Sequence, residues 1–432
     1  MADIIVSQDC HVLVTGGSGF LGASIVRALL AKYPQWQVSV LDMKEPKAQV
    51  RKQLHAFHQV NIASADSVAT ALSGQQYDLV VHTAGIVPAR QKRYSTNQRD
   101  WEHVKSINVD GTRNVLDATL KSGCKRFVYT SSCTVAVDDL EHDYYNVDES
   151  VPLGLATLHY GKSKALAEQY VLSPEHREKG LLACALRPST IIGPGDTAVI
   201  EVIHDCIAKG ETNFIIGEGD NLYDFMYIDN AVLAHVLAIE NLLTTCTAAG
   251  EAFFISNQEP VYFWDFLAAI WAEFGHTQKA RWHIPVNLAW VAGLAMEWIT
   301  SFTGGASTLD RGSVKDGVRT TFSNNEKAIR ILGYRPIVSL AEGVRLACAV
   351  SDCFLYALLA LNVRRITRSK CWITGRTRGR SEPRHDVRPA ESRCKCRRAG
   401  AGSYKDDFCT YPTPLTHEEA SRQLCLLPST PI

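Results

Sequence analysis

The stretch His11–Gly22, HVLVTGGSGFLG, constrains this chain more than any other. Four residues suited to a buried strand (Val12, Leu13, Val14, Thr15) run directly into glycines at 16, 19 and 22, and an apolar helical pattern (Ile25, Val26, Leu29, Leu30) follows at once. Strand, glycine turn and helix in that order is the context that makes G-x-x-G-x-x-G a dinucleotide site. Gly16 allows the tight turn, Gly19 lets the backbone approach a pyrophosphate, and Gly22 lets helix and strand pack closely. Phe20 and Leu21 complete the loop, and the phosphates are expected on unpaired N–H groups at the positive end of the helix. A second strand, VSVLD, ends at Asp42, twenty positions after Gly22. An acidic side chain there accepts hydrogen bonds from ribose hydroxyls and repels a 2′-phosphate, which points to NAD rather than NADP; the nearby Lys44 pulls the other way.

Strands and helices then alternate. An apolar segment ends at Asn61 and Ile62, placed to frame an adenine edge, and DLVVHTAG reads as a strand whose small-residue exit, Ala84 and Gly85, lets the backbone lie against a cofactor. Residues 99–121 carry a long amphipathic pattern around Asn108, whose expected role is structural. KRFVYTSSCTV is a further strand opening into Ser131-Ser132. This order predicts an α/β fold: a Rossmann-type doubly wound parallel sheet, with Asp42, Ala84 and Ser132 on one side, beyond the carboxyl ends of the strands. A smaller, mostly C-terminal substrate-binding region is expected to complete it.

LHYGKSKALAEQYVL places Tyr160 and Lys164 four apart on a helical pattern, hence on one face. A phenol ionises near pH ~10; an adjacent ammonium and an oxidised nicotinamide both favour the phenolate. Tyr160 is then expected to take the proton of a substrate alcohol as hydride leaves its carbon. Ser132 holds the same oxygen, and Lys164 also bonds the nicotinamide ribose. Ser131 is the rival serine, but strand alternation points it to the opposite face.

At these residues the chain resembles a known family. TGGSGFLG, Asp42, NVDGTRN at 108–114, YTSS at 129–132, YGKSK at 160–164 and LRPSTIIGPGD at 186–196 look like the extended short-chain dehydrogenase/reductases. IIGEGDNLYDFMYIDNAVLAHVLA at 215–238, FFISNQEPVYFWDF at 253–266 and KAIRILGYRP at 327–336 resemble the 3β-hydroxysteroid dehydrogenase branch, closest to its decarboxylating sterol-4α-carboxylate 3-dehydrogenases. The likeness spans roughly residues 8–350. It implies NAD-dependent oxidation of a 3β-hydroxyl on a steroid or triterpenoid, with loss of a C4 carboxylate as CO₂. It also implies that the backbone after Pro188 faces the nicotinamide amide, and a homodimer formed through the helices near 101–121 and 158–172. Asn61 departs from the family, which usually carries Asp there. The implied layout is an NAD-binding domain over 1–195, rejoined by 225–260, and a substrate-binding region over 196–350.

Net charge is zero over 432 residues, yet 15 of the 45 basic and only 7 of the 45 acidic residues lie from Arg364 onward. The first 363 residues are therefore acidic, which gives no footing for nucleic acid. From Arg364, Arg, Ser, Gly and Pro dominate without apolar period, and 364–432 reads as a basic disordered tail. The thirteen cysteines are scattered and read as reduced thiols, and no metal site is expected. MADIIVSQDC does not read as a secretory signal, so a cytoplasmic-side protein is expected, with the endoplasmic reticulum membrane as a site of attachment. Residues 284–303, apolar nearly all round, are expected to wall a hydrophobic cleft or lie on a membrane surface. The apolar stretch at 346–363, interrupted by Asp352, falls short of the ~20 residues of a span and reads as a helix packed on the body. Asp229 or Asn230 is expected to cap the helix that follows. Two other readings stay open: a nucleotide-sugar epimerase or dehydratase on the same scaffold, and a non-enzymatic NAD-sensing regulator. The first would need more cations than Lys209, Lys279 and Arg281 to grip a diphosphate; the second has no use for Ser132, Tyr160 and Lys164 together.

Overall fold

The computed structural model describes residues 9–88, 90–303 and 307–349. The tail from Arg364, and 350–363 of the apolar stretch before it, lie outside the described residues; 340–349 are helical.

Seven strands form the central sheet: β1 (His11–Thr15), β2 (Gln37–Asp42), β3 (Ala56–Gln59), β4 (Leu79–His82), β5 (Arg126–Thr130), β6 (Leu182–Pro188) and β7 (Ala252–Ile255). They lie in the order β7-β6-β5-β4-β1-β2-β3, and every pairing is parallel. Such a sheet is covered on both faces, so its strands are apolar on both. Alternation divides them: Val12, Val14, Val38, Val40, Val81, Val128 and Leu186 meet one layer, and Leu13, Leu41, Val80, Phe127, Tyr129 and Ala185 the other. The first layer holds α1 (Phe20–Lys32) and Ile228–Leu243, through Ile25, Val26, Leu29, Ala231 and Ile239. The second holds Ala65–Leu72, Gly111–Lys121 and His159–Val171, through Val68, Leu72, Val115, Leu116 and Ala167. Burying each such side chain is worth about 1.5–3 kcal/mol.

The amphipathic stretch expected over 99–121 is not one helix. It is α-helical at Gln98–Lys105, widens to a π turn at Ser106–Asp110 and resumes at Gly111–Lys121. The widened turn carries the buried Asn108.

The expected cap on Ile228–Leu243 is a correction. Tyr227 precedes that helix without a side-chain cap bond. Asn230 is instead fully buried: its Oδ1 accepts from the backbone N–H of Ile337 and Val338 and its Nδ2 donates to Val338 O, pinning a distant segment. Asp229 lies in the first turn, where desolvation raises its carboxyl against the opposing charge of Arg27.

Beyond the central sheet lie a four-stranded sheet (Val261–Tyr262, Leu222–Tyr223, Thr321–Ser323, Tyr144–Val147) and two strand pairs, Thr190–Ile192 with Phe225–Tyr227 and Phe214–Ile216 with Trp282–Ile284. The helices Ile200–Lys209 and Phe263–Glu273 join Phe225 in a second apolar cluster around Ile203, Phe266 and Trp271. The seven cysteines among the described residues are free thiols.

Candidate functional site

A continuous cavity of about 1460 Å³ runs from the glycine turn past the carboxyl ends of the strands and into the second cluster. The sequence-predicted residues Gly16, Gly19, Phe20, Leu21, Gly22, Asp42, Asn61, Ile62, Ala84, Gly85, Ser132, Tyr160, Lys164 and Pro188 all line it.

Its first third is shaped by backbone. Gly16 has φ +70°, and a Cβ there would meet Ala84 N at 2.7 Å. At Gly22 a Cβ would stand 2.1 Å from Gly16 O, so helix and strand approach only because that atom is absent. Gly19 is the residue before α1 and offers no side-chain cap. The first N–H groups of the helix, from Phe20 to Gly22, therefore have no intrahelical partner and face the cavity end of the dipole. Asp42 is clamped: Oδ2 accepts from Ser18 N at 3.0 Å and Oδ1 from Lys44 N at 2.9 Å. Lys44 thus contributes its backbone to hold the carboxylate at the rim. Ile62 packs beneath Gly111, where a Cβ would come within 2.7 Å of Ile62 Cδ1, and Asn114 Nδ2 donates to Ile62 O. Asn61 is exposed and bonds Ala63 N. Asn108 lines the cavity and holds the loop after β4, taking Ile86 N at 2.8 Å, giving to Ile86 O at 3.0 Å, and reaching Ser163 Oγ at 3.0 Å. A glycine turn with orphan amides, a carboxylate twenty residues on and a clamped small-residue loop fit a nicotinamide dinucleotide.

In the middle third, the pairing of β5 with β6 continues past both strands. Ser131 N donates to Leu186 O and Cys133 N to Pro188 O, which delivers Ser132 to the cavity beside Pro188. The two serines part as alternation predicts: Ser131 Oγ donates to Glu168 Oε2 at 2.6 Å, buried, while Ser132 Oγ accepts from Thr134 Oγ1 at 2.9 Å and lies close enough to the Tyr160 phenol to favour its ionised form. Gly161 lets the helix of Tyr160 press against Thr134–Val137, since a Cβ there would fall 2.6 Å from Thr134 O. Lys164 is buried, donates to Thr130 O at 2.5 Å and lies 4.4 Å from the Tyr129 ring centre.

The electrostatics differ from the simple expectation. Burial pushes the Tyr160 phenol up to about 12 and pulls the Lys164 ammonium down to about 7. The cation that favours the phenolate is not Lys164 but Arg93, whose Cζ is 6.0 Å from the Tyr160 ring centre. Glu168, one turn beyond Lys164, favours the Lys164 charge and is itself held by Arg187 (Nη2–Oε1 2.6 Å). Arg93 and its partner Asp138 lie on no amphipathic period, and their types alone carry no site signal. Only packing brings Arg93 to the cavity, with Asp138 sealed behind it.

The far third is mostly apolar, with Lys209, Glu211 and Asp310 in its wall beside Ile203, Phe214, Trp271, Leu288, Ala289 and Ala292. The last three belong to Val286–Thr303, so the expected cleft wall is present. At the boundary, Asp224 accepts from Ser323 N and Oγ, and burial raises its carboxyl to about 6.

The profile of the 3-beta hydroxysteroid dehydrogenase/isomerase family matches residues 13–286. The chain is 32% identical over 357 residues to a decarboxylating sterol-4-alpha-carboxylate 3-dehydrogenase of Saccharomyces cerevisiae, covering 80% of this chain and 99% of that protein. The Schizosaccharomyces pombe enzyme of the same name is 35% identical over 346 residues, covering 78% and 96%. Among solved structures, the UDP-glucose 4-epimerase of Thermus thermophilus in complex with NAD superimposes with a TM-score of 0.59 at 22% identity, over 79% of this chain and 98% of that one, which shows the shared fold.

Proposed function

The chain belongs to the 3-beta hydroxysteroid dehydrogenase/isomerase family, and we propose that it oxidises the 3β-hydroxyl of a 4-carboxylated sterol or triterpenoid with NAD and releases the carboxylate as CO₂. The observation that carries this reading is the join, in one cavity, of a dinucleotide cradle, Ser132 with Tyr160, and a mostly apolar chamber. A bound oxidised nicotinamide supplies the hydride acceptor. Ser132 and Tyr160 hold the substrate oxygen, and Tyr160 takes its proton. Lys164 bonds the cofactor ribose, its charged form favoured by Glu168, and Arg93 is the cation that favours the phenolate. When C3 has become a ketone, the C4–carboxyl bond breaks heterolytically. Its electron pair enters the C3–O unit as an enolate, on the oxygen that Tyr160 and Ser132 already hold, and protonation at C4 yields the ketone. No separate decarboxylating group is required.

Asp42, its carboxylate held by Ser18 N and Lys44 N, supports NAD over NADP, because a carboxylate at that strand end accepts from ribose hydroxyls and repels a 2′-phosphate. The mostly apolar chamber argues against an epimerase acting on a charged diphosphate sugar. Supplying the purified protein with NAD and either a 4-carboxysterol or UDP-sugars tests the reading. NADH and a decarboxylated 3-ketone from the sterol are expected; epimer formation from the sugar would replace it.

Val286–Thr303 has two apolar faces. One lines the chamber; the other presents Val291, Trp298 (64% exposed), Ile299 and Phe302 (81% exposed). No helix among the described residues is long and apolar enough to cross a membrane. The proposed role of the outer face is to lie on a lipid surface, the cytoplasmic side of the endoplasmic reticulum, next to the chamber an apolar substrate must enter. The proposed assembly is a homodimer through the helices near 101–121 and 158–172, read by analytical ultracentrifugation.

A further inference from the structure

We propose that Arg93 anchors a carboxylate carried on the carbon next to the reacting alcohol, and so selects 4-carboxylated substrates. This rests on the reading above and assigns a subsite that reading leaves open. Arg93 lies on the short turn Arg90–Tyr94 and lines the cavity, with its Cζ 6.0 Å from the Tyr160 ring centre. Its Nη1 and Nη2 each give one bond to Asp138, at 2.8 and 2.5 Å. A guanidinium has five N–H donors, so three are left. Asp138 has no exposed side-chain surface and also accepts from Gly161 N, whereas 17% of the Arg93 side chain is accessible. The pair therefore turns its cationic member to the chamber and hides its anionic one.

The other charged groups at this end are already committed and more deeply sealed. Arg319, 4% exposed, pairs with Asp316 and donates to Val137 O. Asp316 also accepts from Tyr94 OH, and Asp224 from Ser323. Beyond them the wall turns mostly apolar. An alcohol oxygen held by Tyr160 fixes the ring carbon that bears it, and a carboxylate on the neighbouring carbon is only three bonds from that oxygen. It must therefore lie near the Tyr160 ring, where Arg93 is the accessible cation among the described residues. A charge-assisted bond there places the carboxylate and, through it, the C3–H bond to be broken.

The test uses the full chain with two ligands, a 4-carboxysterol and the same sterol lacking the carboxylate. Affinity is measured on NADH-loaded protein, in which no oxidation intervenes, with and without Arg93→Gln or Arg93→Lys. Arg93→Gln is expected to weaken the carboxylated ligand about tenfold to hundredfold, with Arg93→Lys recovering part of the loss. Affinity for the other sterol and for NAD should stay within about threefold. Equal losses for both sterols, or no loss for either, overturn the proposal while leaving the oxidation intact. If wild-type protein oxidises neither sterol, the functional reading itself fails and this inference falls with it.

Discussion

Replacing Gly22 with Ala adds a methyl group at the tightest contact of the fold. The new Cβ would stand 2.1 Å from Gly16 O, 2.6 Å from Thr83 Oγ1 and 2.8 Å from Gly16 C. Two of the three atoms are backbone and cannot rotate away. Gly16 itself is pinned, since its N–H donates to Leu41 O at 2.8 Å and its carbonyl accepts from Gly19 N at 2.9 Å. To reach ordinary contact distance, α1 must therefore move outward by about 1 Å or more. That displacement opens the packing of Ile25, Val26 and Leu29 on the sheet; overpacking of this kind costs about 1–3 kcal/mol. It also withdraws the amides of Phe20 to Gly22 from the pyrophosphate. Each hydrogen bond to a charged group is worth about 1.5–3 kcal/mol, so losing two weakens the cofactor by at least about a hundredfold. Gly19→Ala is the control: its Cβ meets only Gly16 O, at 3.2 Å, and should affect cofactor affinity far more than stability. NADH fluorescence titration and chemical denaturation of both variants separate the two effects. Wild-type NADH affinity in Gly22→Ala would refute the reasoning.

The two serines should divide cleanly: Ser132→Ala lowers kcat about tenfold to a thousandfold with stability almost unchanged, while Ser131→Ala mainly destabilises, because it strips a buried bond from Glu168; denaturation and initial-rate assays distinguish them. Burial holds the folded-state Lys164 near 7 against an ordinary 10.5, so the unfolded chain binds the extra proton between those values. Wild type should therefore gain stability relative to Lys164→Met as pH rises from about 7 to about 10, by at most about 1.4 kcal/mol per pH unit, with a flat difference below about 7; a slope of the opposite sign in urea titrations would exclude a buried ammonium. Trp298→Ser with Phe302→Ser should abolish flotation with phospholipid vesicles while NADH affinity is unchanged; undiminished flotation would remove this helix from the lipid surface.

The chain's local order was readable before any coordinates. Glycine spacing, the apolar period of β1 and α1, Asp42 at a strand end and Tyr160 one turn from Lys164 all act over a few residues, where backbone sterics and side-chain direction are set by neighbours in sequence. The parting of Ser131 from Ser132 followed from strand alternation alone. Only the tertiary structure decided what depends on residues meeting from afar. Asn230 has the residue type of a helix cap, yet it lies inside the first turn and is consumed by Ile337 and Val338, more than a hundred positions away. Arg93 sits 45 positions from Asp138, on no period at all, and becomes the cation beside Tyr160. The phenol's pKa followed the same rule: a neighbouring ammonium and an oxidised nicotinamide pointed to an ionised tyrosine, but desolvation, a property of the assembled interior, raises it.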